Sequence, residues 1–268
     1  MKLKERLILF LKGVVMGFAQ VVPGVSAGAM AIVTNIYERF IEAVHSISPF
    51  SEDKAELDFL FTVGLGMVIT FLSMSFVIPP IINNYESLIF AFFFGLIAAA
   101  AVSTYWKTSR VDARTLGLAF LGFILAFFFS GLEPVGAYHA LPLLFVAGFL
   151  AICAMLLPGV SGSFVMLLLG QYEYMLNALS RFWVYWLDIA VVLAGMFTAL
   201  FTFPGVIERF LEWDEAAALS FLIGLMLGAL RLPLERMTLA SGVIPNLPLL
   251  AVGGAGLFSV LYLDVLSR

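Results

Sequence analysis

A four-residue string, Pro23-Gly24-Val25-Ser26, returns as Pro158-Gly159-Val160-Ser161, and each copy cuts an apolar segment in two. The offset of 135 residues also places Gly13 on Gly148, Ala19 on Ala154, Tyr37 on Tyr172, Glu38 on Glu173 and Ala43 on Ala178 without a gap. Nine identities between residues 13–44 and 148–179 indicate an internal duplication. Later parts of the halves match at an offset of 129, where Gly66-Met67 meets Gly195-Met196 and Gly95-Leu96 meets Gly224-Leu225. Hydrophobic segments interrupted at corresponding places in two halves point to the binding site of a membrane transporter.

Composition sets the solvent. The 268 residues are 62% hydrophobic and 12% charged, with a mean hydropathy of +1.07, whereas a soluble domain carries roughly 25% charged residues. The chain reads as an all-α polytopic membrane protein, a single transmembrane domain of two repeats, about 1–132 and about 133–268. A net charge of −4 without a basic tract excludes nucleic acid as a partner. The single cysteine, Cys153, allows no internal disulfide and reads as a small packing residue. Lys2, Lys4 and Arg6 before an apolar run imitate a signal peptide, but the same pattern recurs mid-chain, so cleavage is not expected.

Apolar runs long enough to cross are Phe59–Ile78, Leu88–Trp106, Thr115–Leu132, Val184–Ile207, Ala216–Leu232 and Leu247–Leu266, since crossing takes about 20 residues. The motif segments differ. Leu7–Val22 and Leu141–Leu157 are followed, after Pro-Gly, by arms of only 12 residues (Val25–Ile36) and 10 residues (Val160–Leu169). At about 1.5 Å per residue these arms reach roughly 18 and 15 Å, half a bilayer. Each segment is either a re-entrant hairpin or one broken crossing helix, and charge separates the two. Hairpins put Lys2, Lys4, Arg6, Lys12, Arg39, Lys54, Lys107, Arg110, Arg114, Arg209 and Arg268 on one side and only Arg181, Arg231 and Arg236 on the other, 11 against 3. Crossing helices give 6 against 8. Cytoplasmic loops hold the Lys/Arg excess, so re-entrant hairpins with both termini cytoplasmic are expected. Each repeat then has one hairpin and three crossings. The odd number turns the second repeat upside down relative to the first.

Proline ends one helix and suits the first turn of the next. Glycine permits the reversal between arms, and the serine can cap free N–H groups or touch a ligand. The start of a returning arm offers unpaired N–H groups and partial positive charge, an anion site without a basic side chain. Two hairpins from opposite faces would bring both starts together near mid-membrane. The candidate phosphate- or carboxylate-binding residues are Gly24, Val25, Ser26 and Gly28 in the first copy and Gly159, Val160, Ser161, Gly162 and Ser163 in the second, with Gln20 just before the first break. Such a site requires Val25 and Val160 not to be capped by neighbouring carbonyls and a cavity between them. The competing reading is a packing kink eased by small residues such as Ala27 and Gly28.

Glu38, Glu173 and Asp188 are candidates for coupling or gating by protonation. Against this, Tyr37-Glu38 and Tyr172-Glu173 would suit a solvated hairpin base with tyrosine in the aromatic belt, and Asp188 would suit a partner in Arg181. Arg181, Arg231 and Arg236 stand on the side expected to be poor in cations, where they would either recruit an anionic headgroup or be tolerated exceptions to the charge rule. His45 and His139 read as residues of separate loops, so no metal site is expected, and nothing calls for a cofactor. Gly13-x-x-x-Gly17 and Gly224-x-x-x-Gly228 read as helix contacts. No phosphate-binding loop of the Walker type, no paired-histidine metal motif and no histidine-assisted serine is visible, so the chain reads as a transporter rather than an enzyme.

The segments "GVVMGFAQVVPGVSAGAMAIVTNIYERF" and "GFLAICAMLLPGVSGSFVMLLLGQYEYM" resemble the paired signature of a bacterial family of polyprenyl-phosphate transporters of the PopT type, formerly a domain of unknown function. The resemblance covers nearly the whole chain. It implies a flippase of the inner (plasma) membrane that returns undecaprenyl phosphate, the lipid carrier of cell-wall biogenesis, from the outer to the cytoplasmic leaflet. Its partners would be that lipid and the membrane, and a homo-oligomer is compatible with it. Ala27 stands where the second copy has Gly162, and Gly28 where it has Ser163, so the copies are expected to play unequal parts. Two other classes stay open: a polyprenyl-pyrophosphate phosphatase, and a secondary transporter of a small soluble anion.

Overall fold

The computed structural model describes residues 3–21, 26–47, 56–132, 138–241, 248 and 250–258, with the backbone alone at 21, 75–84, 176, 180 and 238–241. The first copy's Pro23, Gly24 and Val25 lie outside the described residues. Every regular element described is an α-helix. In chain order these are α1 (Leu3–Val21), α2 (Ala27–Val33), α3 (Tyr37–Ser46), α4 (Leu57–Lys107), α5 (Ala113–Ser130), α6 (Leu141–Leu156), α7 (Gly162–Leu168), α8 (Tyr172–Ser180), α9 (Phe182–Trp213), α10 (Glu215–Ala229) and α11 (Arg231–Ser241), with a further helical stretch at 250–258.

Among the described residues five stretches are long and apolar enough to cross a bilayer: Leu57–Met74, Tyr85–Lys107, Ala113–Ser130, Phe182–Trp213 and Glu215–Met237. The chain is therefore a multi-pass membrane protein. Phe61, Phe120, Phe128, Trp183 and Val184 project outward from these helices, as side chains in lipid do. The expected spans Phe59–Ile78 and Leu88–Trp106 are joined into α4, whose backbone leaves helical geometry at Tyr85 (φ −135°, ψ 34°). Half of the expected sixth span, Leu247–Leu266, lies outside the described residues.

Helix pairs are fastened by glycines at which one backbone rests on another. A side chain at Gly13 or Gly66 would run into the backbone of Val63 or Phe10, where α1 meets α4. Gly148 and Gly195 stand in the same relation to Val192 and Phe145, where α6 meets α9. Each partner in the second pair is its counterpart in the first shifted by 135 or 129, the two offsets of the sequence. Gly224 lies on Ala119 where α10 meets α5, and Gly95 on Gly253 where α4 meets the stretch at 250–258. Close backbone approach through small residues is the packing mode expected in lipid, where burial alone gives helices little reason to associate.

The helix ends are fixed locally. Asp112 and Thr115 form a reciprocal capping box at α5, each side chain accepting from the other's backbone N–H at 2.8 Å. Asp214 accepts from the Ala217 N–H at 3.1 Å, capping α10, and pairs with Arg110 and Arg114. This ties the α4–α5 connection to the α9–α10 connection.

Candidate functional site

The second break is a tight reversal. Leu157-Pro158-Gly159-Val160 has proline at its second position and Gly159 at φ +89° at its third, and the Val160 N–H points to the Leu157 carbonyl at 3.4 Å. This is the pattern of a type II turn, whose third position favours glycine. α7 then packs back on α6, where Gly162 leaves no room for a side chain against the Ala151 carbonyl.

The start of the other short helix lies against this turn. Ser26 is buried, caps α2 by accepting from the Gly28 N–H at 3.1 Å, and donates to the Leu157 carbonyl at 2.9 Å. A side chain at Gly28 would lie 3.0 Å from the Leu156 carbonyl. Tyr37 is buried too and donates to that Leu156 carbonyl at 3.2 Å. Tyr37 thus satisfies the Leu156 carbonyl left open at the end of α6, a group that lipid cannot satisfy, and Ser26 adds a second donor to the Leu157 carbonyl beside the Val160 N–H.

The copies differ as their sequences do. Ser161 caps nothing with its side chain but shares a hydrogen bond of 2.9 Å with Ser163, the residue that replaces Gly28. Ser161, Gly159 and Val160 border a pocket closed by Phe129, Ser130, Phe164, Ala229 and Leu232. Its volume of about 10 Å³ accommodates about one water. Against expectation, the Val160 N–H is therefore capped by a neighbouring carbonyl and the space in front of it is shut, while Val25 lies outside the described residues. Gln20 lies half-buried in the last turn of α1, and Gly24 and Val25 fall outside the described residues.

Tyr37-Glu38 and Tyr172-Glu173 do not end the short arms, as expected, but open new helices, α3 and α8. Each is preceded by a residue at positive φ, Asn35 at 55° and Gly170 at 66°. The same bonds close both turns: Ile36 N–H to Ala31 O at 2.9 Å, and Gln171 N–H to Met166 O at 2.8 Å. Tyr37 departs from its expected belt position, because its hydroxyl serves the joint described above. Tyr172 and Glu173 are exposed. His45 also departs from expectation: it sits in the last turn of α3 and pairs with Glu208 of α9. Asp188 accepts from Tyr174 at 2.5 Å, not from Arg181. That bond pushes the Tyr174 phenol up to about 12. His139 stacks on Tyr174 with centroids 3.8 Å apart and shares a 2.9 Å hydrogen bond with the fully buried Gln171.

The three outlying arginines are distinct. Arg181 is exposed between α8 and α9. Arg231 pairs with Glu235 at 2.6 Å, donates to the Phe127 carbonyl at 3.1 Å and lies over the Phe127 ring, next to Leu232 of the tip pocket. Arg236 faces Glu86 at 3.6 Å.

Larger cavities open beyond the far end of the first short arm. One, of about 210 Å³, is bordered by Asn35, Tyr37, Glu38, Arg39, Thr104 and Lys107. A second, of about 290 Å³, is bordered by Glu38, Glu42, Glu208, Glu212 and Glu215. Partial burial, reinforced by Glu215 and Glu42 and opposed by Lys107, holds the Glu38 carboxyl above the usual 4.5. The folded protein therefore binds this proton more tightly than the unfolded chain does. The resulting stability is full below 4.5 and lost as pH rises through the elevated value. Thermal-unfolding midpoints of purified protein should fall over that window, and Glu38→Gln should flatten the slope; an unchanged slope would assign it to other groups. Among the described residues no three of His, Cys, Asp or Glu are grouped to hold a metal ion.

The sequence matches the family described as "VCA0040-like: Undecaprenyl phosphate translocase-like" over residues 16–241. The chain belongs to this family. It is 34% identical over 245 residues to the polyprenyl-phosphate transporter of Vibrio cholerae serotype O1, covering 85% of this chain and 78% of that protein. To the polyprenyl-phosphate transporter of Staphylococcus aureus it is 30% identical over 244 residues, covering 83% and 84%. No solved structure matches it. The relatives' name supports a role in transport of a lipid carrier.

Sequence reasoning used Arg39 and Lys107 only to count charge and did not bring them together with Asn35. The residue preceding each Tyr-Glu pair by two, Asn35 or Gly170, carried a usable signal, because asparagine and glycine are the types that most readily adopt positive φ.

Proposed function

We propose that this protein is a flippase that returns undecaprenyl phosphate from the outer to the cytoplasmic leaflet of the bacterial inner membrane for reuse in cell-wall synthesis. Its two repeats, about 1–132 and about 133–268, are inverted, and each contributes one re-entrant hairpin and three spans. The observation that carries this reading is the joint between the two breaks, where Ser26 of one short arm holds Leu157 at the turn before the other. Helix contacts that recur at the offsets 135 and 129 support the division into repeats. The meeting of Arg39, Lys107, Arg110 and Arg114 with Glu38, Glu56, Asp214 and Glu215 at one end supports cytoplasmic termini.

In this reading the phosphate takes up backbone N–H groups at Gly24–Gly28 and Gly159–Ser163 only once the joint parts, displacing the Ser26 hydroxyl from Gly28 and the Leu157 carbonyl from Val160, with Gln20 beside them, while the polyprenyl chain stays in lipid. The shut tip pocket is the occluded state, and loading parts the joint. Arg231 stands beside that pocket as an entry cation, with Arg181 and Arg236 further out. Glu38, Glu173 and Asp188 are the groups whose protonation would couple or gate the step, and Glu38 stands first because its proton is held more tightly than usual.

Proteoliposomes loaded with labelled undecaprenyl phosphate and read leaflet by leaflet test this. The lipid should move from the leaflet facing Tyr138 to the leaflet facing Arg110, the sides being set by thiol labelling of Tyr138→Cys and Arg110→Cys. Equal leaflet exchange with and without protein would refute the reading.

A further inference from the structure

We propose that the cavity beside Asn35 is a second phosphate-monoester site, where the headgroup rests on Arg39 and Lys107 after leaving the hairpin tips. It rests on the transport reading above and adds a station to it. At about 210 Å³ the cavity is more than ten times the size of the tip pocket, and of the roughly 10–15 Å³ that one water requires.

Two cations border it, and a third, Lys12 of α1, lies close enough to both for their charges to interact. Each bordering cation is held in position. The Lys107 ammonium donates to the Asn35 carboxamide, and Asn35 is fixed by its own turn at φ 55°. Arg39 lies over the Phe59 ring at 4.5 Å and gives its Nε to Glu56 at 2.9 Å, which among the described residues leaves the terminal nitrogens of the fork for another acceptor. Thr104 adds a hydroxyl to the wall. A preset pair of cations with an open volume between them matches a phosphate dianion, which arginine takes through two parallel bonds and lysine as a point charge.

The site belongs to one repeat. At the offset of 135, Gly170 and Tyr174 stand in place of Asn35 and Arg39. The cavity also lies a short step from the tip. Ser26 and Asn35 flank α2, whose seven residues are all buried, so the two stations are separated by about 10 Å of helix. Among the described residues Glu38 is the one carboxylate on this wall. A proton on it converts a repelling group into a donor, and Glu42 and Glu215 on its other side favour that proton.

Peptide-resolved acetylation of lysines in the full chain, reconstituted in phosphatidylcholine nanodiscs, tests the site. Farnesyl monophosphate should slow acetylation of Lys107 about tenfold, the effect of one charge-assisted bond, and leave Lys4 unchanged. Farnesol should protect neither. Weak protection by inorganic phosphate would assign the site to a lipid headgroup, and equal protection to the phosphate group alone; both outcomes support the site. Arg39→Gln should remove most of the protection and Arg39→Lys keep part of it. Unprotected Lys107 in a protein that still moves undecaprenyl phosphate would overturn this inference and leave the transport reading standing. Loss of transport by the unaltered protein would remove both.

Discussion

Valine in place of Gly159 is expected to abolish transport of undecaprenyl phosphate in proteoliposomes while the chain still inserts into membranes. Gly159 sits at φ +89°, and an added Cβ would lie 2.9 Å from the Leu225 carbonyl and 3.0 Å from Met226. A left-handed conformation costs an L residue about 1–2 kcal/mol, and crowding a packed site about 1–3 kcal/mol more. The sum, about 2–5 kcal/mol, falls on the turn that carries Val160 and Ser161, so the arm must either change its path or leave α10. A suitable control is Gly170→Asn, because the first repeat holds asparagine at the equivalent position with φ 55° against 66°. That variant should stay within about 0.5 kcal/mol of the parent, since asparagine tolerates the conformation. Transport by Gly159→Val at the parental rate would remove the turn from the mechanism. Equal damage from both glycine changes would show that the readout reports folding rather than the site.

The contrast between these two glycines shows what the sequence made legible. The doubled string marked both reversals, because proline followed by glycine has few uses inside an apolar run. The offsets 135 and 129 reappear in the helix contacts through Gly13, Gly66, Gly148 and Gly195, because small residues at a helix seam leave a visible pattern. Tyr37 was misplaced for a physical reason. A Tyr-Glu pair after an apolar run has the composition of a membrane boundary, and only the tertiary fold shows that the Leu156 carbonyl, 119 residues away, needs a donor. Arg39 and Lys107 were legible as charges but not as neighbours, since they are joined by the path of α4. The shut tip was also beyond reach. Free N–H groups at a helix start can be counted from sequence, but the space in front of them depends on how Phe129, Phe164 and Leu232 pack.

That shut tip leads to the second large effect. The double substitution Ser26→Ala, Tyr37→Phe should weaken the joint between the hairpins by about 3–5 kcal/mol. Each change removes a hydrogen bond worth about 1 kcal/mol net, and Tyr37→Phe also leaves the buried Leu156 carbonyl short of a donor at a further cost of about 1–3 kcal/mol, whereas the Leu157 carbonyl keeps the Val160 N–H. The joint exists only while the breaks touch, so the loss falls on the shut arrangement and raises the share of molecules with the tips apart. At about 1.4 kcal/mol per tenfold, about 3 kcal/mol corresponds to roughly a hundredfold shift. The probe is Val160→Cys in a Cys153→Ala background, reacted with a small water-soluble thiol reagent. Labelling at position 160 should be slow with the joint intact and rise by at least about tenfold in the double variant. Farnesyl monophosphate should slow it again if phosphate occupies the parted tips. Ser161→Ala serves as the comparison, because its hydroxyl bonds within its own arm, to Ser163, and does not cross the joint. Labelling raised equally by Ser161→Ala would mean that the second arm opens on its own. The bond from Ser26 to Leu157 would then be a packing contact rather than the closure.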